Sequence, residues 1–269
     1  DRRPLSAIPI EEKNTFSWIQ GMRDCMEIKQ LMPHTSLISV MDREADFFEI
    51  FDDQRRKSSR VDLLIRAQHN RKTMGEHKLF EEVMQSPIQS RITIKIPRQS
   101  ARVKKKNQKA RNKRAARIAE VTVRYIRTEL KPPPYFQEMP PISLWIIHVK
   151  EEKPPADTKA IEWFLLTTID IKSPHDALDC IKWYCLRWRI EDWHRVLKSG
   201  CGIEALAHKT AGRLKRAIAI NLVIAWRIML MTLLGREMPE LPPEVLFSDI
   251  EITVLQAYAK KKALTSRAL

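Results

Sequence analysis

The chain has 269 residues, 43% of them hydrophobic and 30% charged, which suits one large domain or two small ones. Forty-eight Lys and Arg stand against 33 Asp and Glu, a net charge of +15 that points to a polyanionic partner; a ribosomal or membrane-surface protein would carry the same bias. Cys25, Cys180, Cys185 and Cys201 form no C-x-x-C pair and no Cys/His cluster of zinc spacing, so reduced buried thiols are expected. There is no secretory signal, and the longest apolar run, "AIAINLVIAWRIMLMTLL", holds Asn221 and Arg227. A buried core helix or a helix–helix contact fits that run better than a membrane span.

Taken in chain order, residues 9–32 carry a helical apolar pattern that Pro33 stops. "TSLISVM" is a short continuous apolar run, expected to be a strand buried on both faces. Asp42 stands at its C-terminal end. "READFFEIFDDQRRK" then predicts a helix and "RVDLLIRAQ" a second strand, which together make an α/β layer. "RITIKIP" alternates with period two, as a half-exposed antiparallel strand does. A basic run at 98–117 follows, half of it Lys or Arg, which reads as a solvated loop in the absence of a polyanion. "IAEVTVRYIRTEL" and "ISLWIIHVKEE" predict further strands around the Pro-rich "KPPPYFQEMPP", and "IEWFLLTTI" resumes the buried-strand style. Ser173-Pro174 supplies an N-cap and first-turn pair for a long helix; a second helix covers about 214–234, and a last one fades into "YAKKKALTSRAL".

The helix carrying "WYCLRWRIEDWHRVLKSG" is the most informative segment. At 100° per residue from Glu191, Tyr184 lies at roughly +20°, Arg187 at roughly −40° and Lys198 at roughly −20°. These side chains would share one polar stripe, beside an apolar stripe of Trp183, Leu186, Ile190, Trp193 and Leu197. The bland alternative is an amphipathic helix with an Arg187–Glu191 pair at i, i+4. The chemical alternative is a metal ligand beside three phosphate donors: Glu is a hard oxygen ligand for Mg²⁺, and Arg, Lys and Tyr all bind phosphate oxygens. Asp42 has two readings as well. It can cap the helix that follows, or it can act with Glu191 as a metal ligand at a strand end, where sites in open α/β sheets collect.

"MDREADFFEIF" and Tyr184-x2-Arg187-x3-Glu191-x6-Lys198 resemble the two signature regions of bacterial cut-and-paste DDE transposases of the insertion-sequence-four family, close to the Tn-five transposase type. The resemblance covers nearly the whole chain. It implies an α/β fold with a ribonuclease H-like (RNase H-like) catalytic core, a β-rich insertion subdomain and C-terminal helices. It assigns residues 1–85 and 161–235 to the core, 86–160 to the basic insertion, and 236–269 to the start of an incomplete dimerisation region. Asp42 and Glu191 would be catalytic carboxylates holding two Mg²⁺ ions, with Mn²⁺ as a substitute. Tyr184, Arg187 and Lys198 would contact phosphates at the transposon end. Trp163, in "EWFLLT", would stack on a flipped base with Trp188 nearby; without the resemblance Trp163 reads as a core residue. Arg66 and Arg71, in "IRAQHNRK", match a basic DNA-contacting segment less specifically.

The function implied is cut-and-paste DNA transposition. The transposon end is hydrolysed, the freed 3′-hydroxyl forms a hairpin, and the reopened end joins target DNA. Partners would be double-stranded DNA and, in the intact protein, a second copy; the location would be the bacterial cytoplasm at the nucleoid, with no membrane. The family places a first aspartate upstream of the "DREAD" region, and neither Asp1 nor Asp24 has that setting. The chain is therefore expected to be a fragment with two carboxylates of a triad, inactive alone as a nuclease. A non-catalytic DNA-binding remnant, or an inhibitor of a full-length transposase, is the alternative. Another RNase H-like nuclease fits the Tyr-Arg-Glu-Lys spacing less well.

Overall fold

The structure is a computed structural model that describes residues 8–57, 60–96, 115–156 and 158–266, with side chains up to residue 260. Contacts divide the chain into two compact units, Asp1–Arg187 and Trp188–Leu269.

The first unit is mixed α/β, built on a six-stranded sheet in the order β1-β2-β6-β5-β4-β3. The strands are β1 (Ile38–Met41), β2 (Asp62–Arg66), β3 (Ser90–Ile96), β4 (Arg117–Leu130), β5 (Ile142–Glu151) and β6 (Glu162–Thr167). β1 and β2 are parallel, joined through helix α2 (Phe48–Arg56), and every other pairing is antiparallel. The strands of residues 86–160 thus continue the sheet that β1, β2 and β6 begin.

Strand alternation sorts the core onto two faces. Leu63, Ile65, Ile146 and Leu166 pack with α1 (Phe16–Leu31), α2 and α3 (Leu79–Gln85). Their chain neighbours Leu64, Ile147 and Leu165 pack on the opposite face with Ala177, Cys180, Ile181 and Tyr184 of α4 (Pro174–Leu186). Helices on both faces leave the middle strands dry. All four cysteines are free thiols, but only Cys180 is fully buried, which pushes its thiol up to about 12.

Several expectations are corrected in detail. The 9–32 helix begins only at Phe16, because Lys13 is extended (ψ 144°) after a 3₁₀ turn at Ile10–Glu12. β1 is not buried on both faces. It lies at the sheet edge with β2 as its one neighbour, and only Met41 is fully buried. The helix expected through "READFFEIFDDQRRK" is split into a 3₁₀ turn at Arg43–Ala45 and α2, with Asp46 and Phe47 between them. α4 starts where Ser173-Pro174 predicts. Ser173 and Asp176 form a reciprocal capping box that occupies orphan N–H groups of the first turn.

The second unit contains α5 (Arg189–Arg195), a π turn at Val196–Gly200, α6 (Ala211–Glu237) and α7 (Asp249–Ser266). Gly202 follows the π turn at φ 61°, left-handed backbone that a side chain disfavours. α6 is long and apolar enough to cross a membrane by length and composition. The buried-core expectation for α6 is not met, since Ala225 is its one buried residue. Its apolar residues ring the helix, so neighbours on one side cannot cover them. A helix–helix contact is present, with Arg227 on Glu251 of α7 at 2.8 Å and over the Phe247 ring.

Candidate nucleic-acid site at the strand ends

In the first unit, parallel β1 and β2 end at the same edge of the sheet. β6 runs antiparallel to β2, so its first residues reach that edge too. This topology gathers Asp42 after β1, Arg66 at the end of β2 and Trp163 near the start of β6. α4 brings Tyr184 and Arg187 to the same place.

Asp42 is extended (φ −91°, ψ −166°) and caps the 3₁₀ turn, its Oδ1 accepting the Glu44 N–H at 3.0 Å. Its other oxygen, Oδ2, lies 3.9 Å from Arg187 Nη1. The capping role is therefore real, and it leaves the second oxygen facing a guanidinium. Tyr184 is buried, with its ring meeting the Trp163 ring edge-on at 5.5 Å between centroids. Arg66 Nη2 donates to the Glu162 carbonyl at 3.5 Å, and Tyr184 lies close enough to act on its charge. Burial pushes the Arg66 guanidinium below its ordinary value, and the charges of Arg43 and Arg187 add to that. Arg43 and Arg187 thus repel Arg66, Arg187 alone of the three lies near the Asp42 carboxylate, and an anion would relieve the repulsion.

The polar stripe is drawn differently from the helical-wheel expectation. α4 ends at Leu186 and α5 starts at Arg189, and the π turn then shifts the register at Val196–Gly200. The buried face of α4 is Ala177, Cys180, Ile181 and Tyr184, with i, i+3, i+4, i+7 spacing. Tyr184 therefore belongs to the apolar face, whereas Leu186 and Ile190 of the expected apolar stripe are exposed. In the second unit, Glu191 is an exposed residue of α5, and Trp188 just before α5 is half exposed. Lys198 sits in the π turn and pairs with Glu204 at 3.1 Å.

Arg71 lies elsewhere in the first unit and is engaged by protein. Its guanidinium donates to the Asp46 carboxylate and to the Asp46 carbonyl. The other Asp46 oxygen accepts the Gln68 and His69 N–H groups at 2.6 and 2.9 Å. Sequence reasoning gave Asp46 no role and placed it on a helix. A carboxylate directly before Phe47-Phe48 was the available signal, since partly buried Phe47 and buried Phe48 draw the segment inward.

Residues 98–114 of the basic run lie outside the described residues. Arg117, the last residue of that run, opens β4 and forms a two-point pair with buried Glu151, a structural use of its charge. That pairing holds the Glu151 carboxyl below its usual range.

Among the described residues no group of three or more His, Cys, Asp or Glu side chains is arranged to hold a metal ion. The donor chemistry fits Mg²⁺ even so, because that ion keeps most of its waters and takes one or two carboxylates. Asp42 offers one, with its side chain about a third exposed at 37%. No family model matches the chain.

Proposed function

We propose that the chain is a DNA transposase of the cut-and-paste DDE type, with its first unit the RNase H-like core. One observation carries this reading: Asp42, Arg66, Trp163, Tyr184 and Arg187, nominated through the family resemblance, converge at one sheet edge. A structural helix would have no reason to bring a strand-end aspartate and two guanidiniums to the same place.

The roles follow from the chemistry of each group. Arg187 and Arg66 offer planar donor forks that suit phosphate oxygens. The Tyr184 ring braces Trp163. Trp163, partly exposed, presents an apolar ring where an unstacked base would rest. Asp42 would hold Mg²⁺, which when bound polarises a phosphodiester and favours ionisation of an attacking water. Asp42 keeps one oxygen tied to the Glu44 N–H, so the carboxylate is already oriented before any ion arrives.

Duplex DNA binding tests the reading. Arg187→Ala is expected to weaken binding about tenfold at low salt and to lower the slope of log affinity against log salt by about 1. Lys182→Ala, on the same helix but paired with Asp179, is expected to change neither. Equal behaviour of the two variants in fluorescence anisotropy would remove Arg187 from the DNA site.

A further inference from the structure

A cavity of about 800 Å³ opens in the first unit between the 68–72 loop and the 131–137 loop. That volume lies within the range of about 300–1,000 Å³ common for small-ligand pockets. Phe47, Phe48 and Pro132–Pro134 supply apolar walls, and His69, Arg71, Lys72, Lys131, Tyr135 and Gln137 supply the polar lining. The one carboxylate in the lining, Asp46, is satisfied by Arg71 and two backbone N–H groups.

That leaves two ammonium groups. The Lys131 N–H donates to the Lys72 carbonyl at 3.0 Å, so the residues are cross-strand neighbours. Neither has a carboxylate within ion-pair distance among the described residues. Like charges at such a spacing destabilise one another unless an anion lies between them. An inorganic anion alone would have no use for the apolar walls. Tyr135 keeps about half its surface, 49%, exposed, and Gln137 offers a donor and an acceptor. A ligand that joins a planar ring to a phosphate uses every part of this lining.

We infer that the cavity seats one unstacked nucleotide, its phosphate between Lys72 and Lys131 and its base on the Tyr135 ring. The source of the nucleotide, a DNA strand, rests on the transposase reading; the chemistry of the pocket does not. Asp46 and Arg71 are positioning residues that fix the 68–72 wall.

The test is calorimetric titration of the full chain with thymidine 5′-phosphate, a short oligothymidylate and inorganic phosphate. Tyr135→Ala is expected to weaken both nucleotide ligands about 5- to 100-fold, with phosphate unaffected. Tyr135→Phe, which keeps the ring, is expected to restore binding, so a folding defect is separable from a stacking loss. Lys72→Ala with Lys131→Ala is expected to lose all three ligands. Phosphate binding as tightly as the nucleotide, or a Tyr135→Ala chain that binds nucleotide normally, would overturn the proposal. Duplex binding that depends on Arg187, with no nucleotide binding here, overturns this proposal alone. Mononucleotide binding without any DNA binding supports the pocket and removes the transposase reading.

Discussion

Asp46 has a fully buried side chain, paired with Arg71, which is 16% exposed. Removing one member of such a pair strands the other in a low-dielectric setting. Arg71→Ala should therefore destabilise the first unit by about 3–5 kcal/mol, read from urea unfolding. Arg71→Met with Asp46→Leu should cost less than the single change, because no charge is left uncompensated. A loss under about 1 kcal/mol for Arg71→Ala would show the pair to be a surface contact. Asp42 was legible in the sequence because a carboxylate after an apolar strand has a recognisable place. Arg71 was legible only as a basic residue. Its partner lies across the sheet edge, and no spacing rule joins positions 46 and 71.

Strands β5 and β6 and helix α3 meet through a stack of rings. His148 lies on Phe164 at 4.4 Å between centroids, and Phe164 lies on Phe80 at 3.9 Å. His148 is buried with Nε2 3.0 Å from a Glu162 oxygen, and its Nδ1 is buried with no partner. Burial lowers its pKa below the ordinary 6.5, and the Glu162 contact offsets part of that. The folded chain thus prefers neutral imidazole. The unfolded chain takes up a proton first as pH falls, so this contribution is full above about pH 6.5 and is lost below it. The urea midpoint should drop between about pH 7.5 and about pH 5, and His148→Phe, which keeps the stack, should lessen the drop. An unchanged drop in that variant would assign it to other groups. At this scale the sequence was informative about strands, because alternation and β-branching mark them directly. It misled at helix breaks. The Asp46–Phe47 break and the π turn after Arg195 arise from burial of one carboxylate and a shift in hydrogen bonding, neither of which a 100° wheel contains.

For the whole chain, a net charge of +15 sets how it meets DNA. Counterion release makes duplex affinity fall steeply with salt whatever the contacts, so affinity alone says little about the strand-end site. The exposed apolar surface of α6, including Ile220, Val223 and Trp226, was not foreseen. The sequence registered how apolar the helix is and could not register what lies beside it. The central claim concerns a carboxylate and a metal ion beside bound phosphates. It is tested most directly by the Mg²⁺ dependence of duplex affinity at constant ionic strength, compared between the natural chain and Asp42→Asn. Mg²⁺ should tighten binding by the natural chain, and Asp42→Asn should bind at least as tightly without Mg²⁺ while losing that response. An Asp42→Asn chain that responds to Mg²⁺ as the natural chain does would contradict the assignment of Asp42 as a metal ligand.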